Sequence, residues 1–285
     1  MGSDGRRSVE VVVSLVDNTL FGMVDKVAVA IERLRQFCPP EGYFLAYSGG
    51  KDSTVLLELA RRSGVKFDAH YHATTIDPPE LVRFVRQQPD VTIDWPKKPF
   101  LARLVEKGMP LRHRRWCCAE YKEVGGAGRI IATGIRAAES ARRKNRRMVE
   151  ACISDKSKRY LHPVIDWTDA DVWEFIKGDN LAYCSLYDEG FKRLGCVLCP
   201  MAGPAMHLRE AHRWPKIAAA FRRAFVRLYE KNREREAYRK WPDGSAMFDW
   251  WMSNTHAPNM DQMPLDYDDD AVGIYDDGEA PSTAR

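Results

Sequence analysis

Short apolar runs alternate with stretches of helical periodicity through most of this chain. Tyr43-Phe44-Leu45-Ala46 is such a run, and after a polar turn Thr54-Val55-Leu56-Leu57-Glu58-Leu59 opens a helix. Val65 to Ala73 reads as a second strand, Val91 to Trp95 as a third and Arg129 to Thr133 as a fourth, with basic and helical sequence between them. Strands alternating with helices predict an α/β fold with a doubly wound parallel sheet. Leu15 to Phe37 has helical character and stops before Pro39-Pro40, and Pro78-Pro79 can start a helix but cannot sit inside one. Beyond Pro200 the pattern is purely helical: Ile217, Phe221, Ala224, Phe225 and Leu228 share one face, while Arg222, Arg223, Arg227 and Lys231 lie elsewhere. The expected organisation is an N-terminal helical segment (1–40), an α/β domain (41–200), a helical extension (201–260) and an acidic flexible tail (261–285).

A chain of 285 residues with 45% hydrophobic content can bury a full core. No stretch approaches the roughly 18 consecutive apolar residues of a membrane span. The apolar patch from Val11 to Val16 is short and runs into charged helical sequence instead of a cleavage site, so a cytoplasmic protein is expected. Seven cysteines, an odd number, favour thiols and metal ligation over disulfides. Residues 261–285 hold eight of the 40 acidic side chains and one of the 44 basic ones, which leaves the first 260 residues with a net charge of +11. A cationic body with an anionic tail suits a polyanionic partner, nucleotide or nucleic acid.

The polar turn after the first strand is Tyr47-Ser48-Gly49-Gly50-Lys51-Asp52-Ser53. Two glycines let the backbone turn tightly and present N–H groups at the positive end of a helix, where oxyanions bind. Lys51 adds a cation, Asp52 a carboxylate for Mg²⁺ or substrate, and Ser48 and Ser53 add hydroxyls. Asp77 falls at the carboxyl end of the second strand, beside the expected ligand crevice. Gly134-Ile135-Arg136 follows the fourth strand, where Arg136 can reach a phosphate bidentately. Arg142-Arg143-Lys144-Asn145-Arg146-Arg147 packs five cations into six residues, and is expected to be a mobile, solvated loop without an anion. Thr168 with Asp171 forms a helix N-cap pattern, which makes Asp169 and Asp171 structural, and Trp167 and Trp173 read as core.

Cys117-Cys118 and Cys196-Val197-Leu198-Cys199 are two separated pairs that can close a four-thiolate site around one metal centre. Zinc would accept the same four sulfurs as iron, and spacing does not choose between them. Cys38, Cys152 and Cys184 stand outside the pattern and read as small buried hydrophobes. His113, His162, His207 and His212 have no metal-ligand spacing.

Ser48-Gly49-Gly50-Lys51-Asp52-Ser53 resembles the PP-loop signature of the ATP pyrophosphatase and adenine nucleotide α-hydrolase-like superfamily. That resemblance implies ATP and Mg²⁺ as ligands, and cleavage between the α- and β-phosphates with release of pyrophosphate. The adjacent cysteine pair followed by Cys-x-x-Cys, on a chain with this loop, is similar to the iron–sulfur branch of the phosphoadenosine-phosphosulfate (PAPS) reductase family. Residues Thr133 to Ser140 with Arg142 and Arg143, His162 to Trp173, and Leu186 to Phe191 match the same family. The family implies one [4Fe–4S] cluster on Cys117, Cys118, Cys196 and Cys199. It also implies a basic segment that closes over nucleotide or substrate.

Members that reduce adenylylated sulfate attack it with a cysteine in a carboxyl-terminal Glu-Cys-Gly-Leu-His motif, and no cysteine follows Cys199 here. Sulfonucleotide reduction is therefore the second expectation. The leading one resembles the ATP pyrophosphatase of DNA phosphorothioation systems, DndC or SspD in type: adenylylation of a target for sulfur insertion into nucleic acid. The logic of tRNA thiolases is similar, and a non-catalytic nucleotide-binding subunit is a third reading. Lys51, Asp52 and Arg136 are the expected catalytic groups, and Ser48, Gly49, Gly50, Ser53, Asp77, Gly134, Arg142 and Arg143 complete the nucleotide site. Expected partners are DNA or tRNA, a cysteine desulfurase as sulfur donor, and further copies or subunits of a complex.

Overall fold

The computed structural model describes residues 15–20, 22–152 and 155–253. The acidic tail expected at 261–285 and the apolar patch Val11–Ser14 lie outside them. A six-stranded sheet forms the centre, built from β3 (Tyr43–Ala46), β4 (Phe67–His72), β5 (Val91–Asp94), β6 (Ile130–Ala132), β7 (Val149–Ala151) and β8 (Arg159–Leu161) in the order β5-β4-β3-β6-β8-β7. All neighbours are parallel except the edge strand β7, which runs antiparallel to β8 with Glu150 opposite Tyr160. This is the doubly wound α/β fold the alternating pattern predicts. Successive strands step outward from β3 through β4 to β5, and the chain then returns to place β6 on the other side of β3. The order reverses between β3 and β6, and in open α/β sheets ligands bind outside the carboxyl ends of strands at such a reversal.

Helix α2 (Lys51–Ser63) follows β3, α3 (Pro79–Arg86) follows β4 and α4 (Phe100–Lys107) follows β5. Val55, Leu56, Leu57, Leu59 and Ala60 on α2 are wholly buried, as is Leu45 of β3. Burial of this kind stabilises each large aliphatic side chain by about 1.5–3 kcal/mol. The α2 helix ends at Gly64, whose φ of +70° places it in the left-handed region that favours glycine. Pro79 opens α3 at its first turn, as its fixed φ allows.

The helix expected over Leu15–Phe37 is replaced in its first half by a hairpin, β1 (Val16–Thr19) and β2 (Gly22–Asp25), with Val16 opposite Asp25. Gly22 at φ +112° supplies a turn that helix geometry excludes. Asp25 then starts α1 (Lys26–Gln36) by accepting hydrogen bonds from Val27 N at 2.9 Å and Ala28 N at 3.2 Å. Tyr43 donates to Leu34 O at 2.8 Å and fastens α1 to the sheet.

Helix α5 (Trp116–Tyr121) carries the cysteine pair, and α6 (Asp169–Gly178) begins with the expected capping box, Asp171 N donating to Thr168 Oγ1 at 3.1 Å. Trp167 is fully buried and Trp173 half-buried against Tyr183 and Tyr187. The extension consists of α7 (Pro204–Arg213), α8 (Pro215–Asn232) and α9 (Gly244–Ser253). Phe221, Ala224, Phe225 and Leu228 bury the expected face of α8 around Trp251 of α9. Phe221 also packs on Phe100 of α4 with ring centroids 5.8 Å apart, and Trp251 donates to Pro110 O at 2.8 Å, so the extension shares the main core. Among the described residues, no helix is long and apolar enough to cross a membrane.

Candidate nucleotide site and cysteine cavity

The loop after β3 folds back on itself before any ligand arrives. Ser53 Oγ donates to Gly50 O at 2.9 Å and lies 3.1 Å from Ser48 Oγ, and Thr54 Oγ1 donates to the same carbonyl at 3.0 Å. Gly49 has φ +72°, and a Cβ there would stand 2.6 Å from Leu81 Cδ1 of α3. Glycine is therefore required twice, by backbone conformation and by the helix packed over the turn. Helix α2 begins at the carboxyl end of β3, where its dipole adds partial positive charge.

Lys51 and Arg136 meet two carboxylates behind this turn. Lys51 Nζ lies 3.1 Å from Asp52 and 2.9 Å from Asp169, while Arg136 reaches Asp52 at 2.7 Å and Asp169 at 3.1 Å. Arg136 is 2% exposed and also donates to Trp167 O at 3.3 Å. Burial opposes its charge, but Asp52 and Glu139 hold the guanidinium charged. The phosphate fork expected of Arg136 is here engaged with carboxylates. Asp169, read from the sequence as a helix-cap residue, is the partner that spacing did not reveal. Burial raises its pKa, yet Lys51 and Arg136 more than offset this and hold it below the usual carboxylate range. Gly134 sits where a Cβ would meet Asp52 O at 2.6 Å, which lets the β6 end and α2 approach this closely.

The arginine cluster departs from the mobile loop expected of it. A single 3₁₀ turn, 143–145, orders it, with Arg143 ion-paired to Glu139 and Arg146 to Glu150 at 2.6 Å. Glu139 also accepts from Arg136 N at 2.8 Å, so Arg143 is joined to the Arg136 segment through one carboxylate. Arg142 is exposed at the start of the turn. Local acidic partners, Glu139 and Glu150, replace the anion that was thought necessary for order.

Asp77 does not face the loop. Its carboxylate accepts from Thr74 N at 2.7 Å and Thr74 Oγ1 at 2.8 Å, which closes the turn after β4. That turn borders a second cavity, lined by Thr74, Phe100, Lys122 and all four motif cysteines, Cys117, Cys118, Cys196 and Cys199. Val197 N donates to Ile76 O at 3.0 Å and ties the Cys196–Cys199 loop to the β4 end. Leu198 adopts φ +55° within it, held by Glu210, which accepts from Leu198 N at 2.6 Å. His207 lies 2.7 Å from Cys199 O and 3.1 Å from Met252 O, and so braces the loop without acting as a ligand.

All seven cysteines are free. The hydrogen bond between neighbours separates Cys117 from Cys118: Cys117 is pushed up and keeps its proton, while Cys118 falls to about 6, helped by Lys122 and Arg115. Burial and then Cys196 raise Cys199 to about 12. Burial opposes the charge of Lys122, but Cys196 and Cys118 outweigh it and keep the ammonium protonated. A cation beside four sulfurs in one cavity is the donor chemistry that a metal–thiolate centre needs. Among the described residues, however, no three His, Cys, Asp or Glu side chains close on the position of a single ion. Cys152 and Cys184 are buried outside this cavity, and Cys38 is partly exposed.

The profile of the phosphoadenosine phosphosulfate reductase domain matches residues 42–202. An adenosine 5'-phosphosulfate reductase from Oceanobacillus iheyensis is 28% identical over 186 residues, covering 59% of this chain and 75% of the relative. A Caenorhabditis elegans protein named "Probable FAD synthase" is 30% identical over 169 residues, 58% of this chain and 31% of the relative. The chain spans only 49% and 40% of the length of two Methanocaldococcus jannaschii relatives that it matches at 27% identity. Among solved structures, the phosphoadenylyl-sulfate reductase of Candida auris aligns with a TM-score of 0.47 at 19% identity, over 59% of this chain and 87% of that one. The matched span begins at the residue before β3 and ends just past Cys199, taking in loop, switch point and all four motif cysteines. The chain belongs to the phosphoadenosine phosphosulfate reductase domain family.

Proposed function

We propose that this protein is an ATP pyrophosphatase that adenylylates a nucleic-acid target for sulfur insertion, with a four-thiolate iron–sulfur centre beside the nucleotide loop. The observation that carries the reading is the joint placement of the Ser48–Ser53 loop at the sheet's reversal and of four free cysteines around one cavity at the neighbouring strand end. ATP phosphates seat on the amides of Gly49 and Gly50, with Ser48 and Ser53 exchanging their mutual contacts for phosphate oxygens. Asp52, positioned by Arg136, offers its remaining carboxylate surface to Mg²⁺. Lys51 exchanges its ion pairs with Asp52 and Asp169 for a phosphate as charge develops. Gly134 keeps the Arg136 segment close, and Arg142 and Arg143 flank the entrance.

An oxygen of the target attacks the α-phosphorus, the bond to the β-phosphate oxygen breaks, and pyrophosphate leaves. The target oxygen then carries AMP, and a sulfur nucleophile attacks the phosphorus or carbon that bears this oxygen; the bond from that atom to the oxygen breaks and the oxygen leaves as part of AMP. Cys117, Cys118, Cys196 and Cys199 would hold a [4Fe–4S] cluster, which supplies a site for sulfur or electron transfer when bound. The net charge of +11 over residues 1–260 favours DNA or tRNA as the acceptor, and a cysteine desulfurase fits as donor.

Reduction of a sulfonucleotide is the second reading, favoured by the reductase relative. Against it, the two cysteines nearest that role, Cys152 and Cys184, are 7% and 1% exposed and cannot reach a sulfate sulfur without opening the core. Anaerobic purification followed by iron and sulfide analysis, then parallel assays for sulfur in nucleic acid and for sulfite from adenylylated sulfate, tests the proposal. Iron, sulfide and labelled nucleic acid support it. Sulfite release with a thiol donor gives the second reading, and zinc in place of iron removes the sulfur-transfer role of the centre.

A further inference from the structure

One hydroxyl at the loop belongs to neither the glycine turn nor the charged pairs behind it. Tyr187 comes from the 3₁₀ turn 185–187, and its oxygen accepts a hydrogen bond from Lys51 N at 2.9 Å, at the first residue of α2. The same oxygen would lie 3.4 Å from a Cβ on Gly50, so it stands over the glycine turn itself. Its ring is clamped by Trp173, edge to face with centroids 5.2 Å apart, and by Tyr183 at 6.4 Å. Burial pushes the phenol further above its ordinary pKa, so it stays protonated at neutral pH.

A phenolic oxygen offers one proton and two lone pairs. The Lys51 amide takes a lone pair, and among the described residues no acceptor takes the proton. A protonated hydroxyl with an uncommitted donor, fixed against the N-terminal amide of an anion-binding helix, is complementary to a phosphate oxygen. A neutral nucleoside offers acceptors for that proton but not the negative charge that the helix N-terminus favours. From these contacts we infer that the Tyr187 hydroxyl is a phosphate ligand of the loop, donating to an oxygen of a nucleotide di- or triphosphate or of the pyrophosphate product. The inference rests on the nucleotide reading of the loop and adds a residue from a distant segment to it.

The test is titration of the full-length protein with magnesium pyrophosphate, comparing wild type with Tyr187→Phe, which keeps the ring and removes the hydroxyl. Loss of a hydrogen bond to a charged group weakens binding by about tenfold or more. That loss is expected with the melting temperature of the ligand-free protein unchanged. In parallel, ¹⁹F spectra of wild-type protein carrying 3-fluorotyrosine should show one resonance, assigned as the one absent from Tyr187→Phe, moving with pyrophosphate and not with adenosine. Equal affinity, or tighter binding as expected of a hydroxyl that merely blocks the Lys51 amide, overturns the inference, and so does an unmoved resonance if the variant is unstable. Wild type that binds neither pyrophosphate nor ATP refutes the loop reading and this inference together. Wild type that binds while Tyr187→Phe binds equally refutes only the role of Tyr187.

Discussion

His162 shows how a single buried side chain sets a pH limit. It lies at the end of β8 with Nδ1 2.6 Å from Thr133 Oγ1, and burial lowers its pKa to about 4. The ordinary value is about 6.5. Above that pH both folded and unfolded chains hold a neutral imidazole. Between pH 6.5 and about 4 the unfolded chain takes a proton that the folded one refuses, so stability falls with pH by on the order of 3 kcal/mol. Urea midpoints measured from pH 7 to 4.5 should drop less steeply in His162→Gln than in wild type, whatever the variant loses at neutral pH. Equal slopes would remove His162 as the cause. The sequence marked His162 only as an ordinary histidine, because its burial depends on strands too short to signal themselves. Asp169 was missed for a related reason. The capping pattern of Thr168 and Asp171 accounted for its neighbourhood, while its contacts to Lys51 and Arg136 come from distant strand ends.

At the scale of elements, strands β3 and β6 were legible as short apolar runs, and β4 and β5 as alternation of apolar and polar residues. Strands β7 and β8, three residues each, carry too little periodicity to stand out from the charged sequence around them. The β1–β2 hairpin was obscured because its apolar residues also fit a helical spacing, and Gly22 decided between the two. Gly134 is a point where two elements depend on close backbone approach. In Gly134→Ala the new methyl meets the backbone of Asp52, which is fixed in the first turn of α2 and cannot yield as a flexible side chain would. Such overpacking costs about 1–3 kcal/mol. Thermal denaturation should show that loss, and pyrophosphate titration a weaker loop. An unchanged melting temperature would mean that β6 and α2 tolerate greater separation.

For the whole molecule, topology explains why residues far apart in sequence lie at neighbouring strand ends. The reversal between β3 and β6 opens the crevice that the proposed function assigns to phosphates, and β4, next in the sheet, delivers the turn to which the Cys196–Cys199 loop is tied. The two motifs were visible in the sequence, but their adjacency follows from strand order. Domain-family membership establishes a nucleotide-handling fold, and the bond that is broken is the central claim. Products of MgATP turnover under anaerobic conditions, with DNA or tRNA as acceptor, test that claim most directly. The account predicts AMP and pyrophosphate in equal amounts, abolished in Lys51→Ala that remains folded. ADP with orthophosphate, or turnover undiminished in Lys51→Ala, would contradict it.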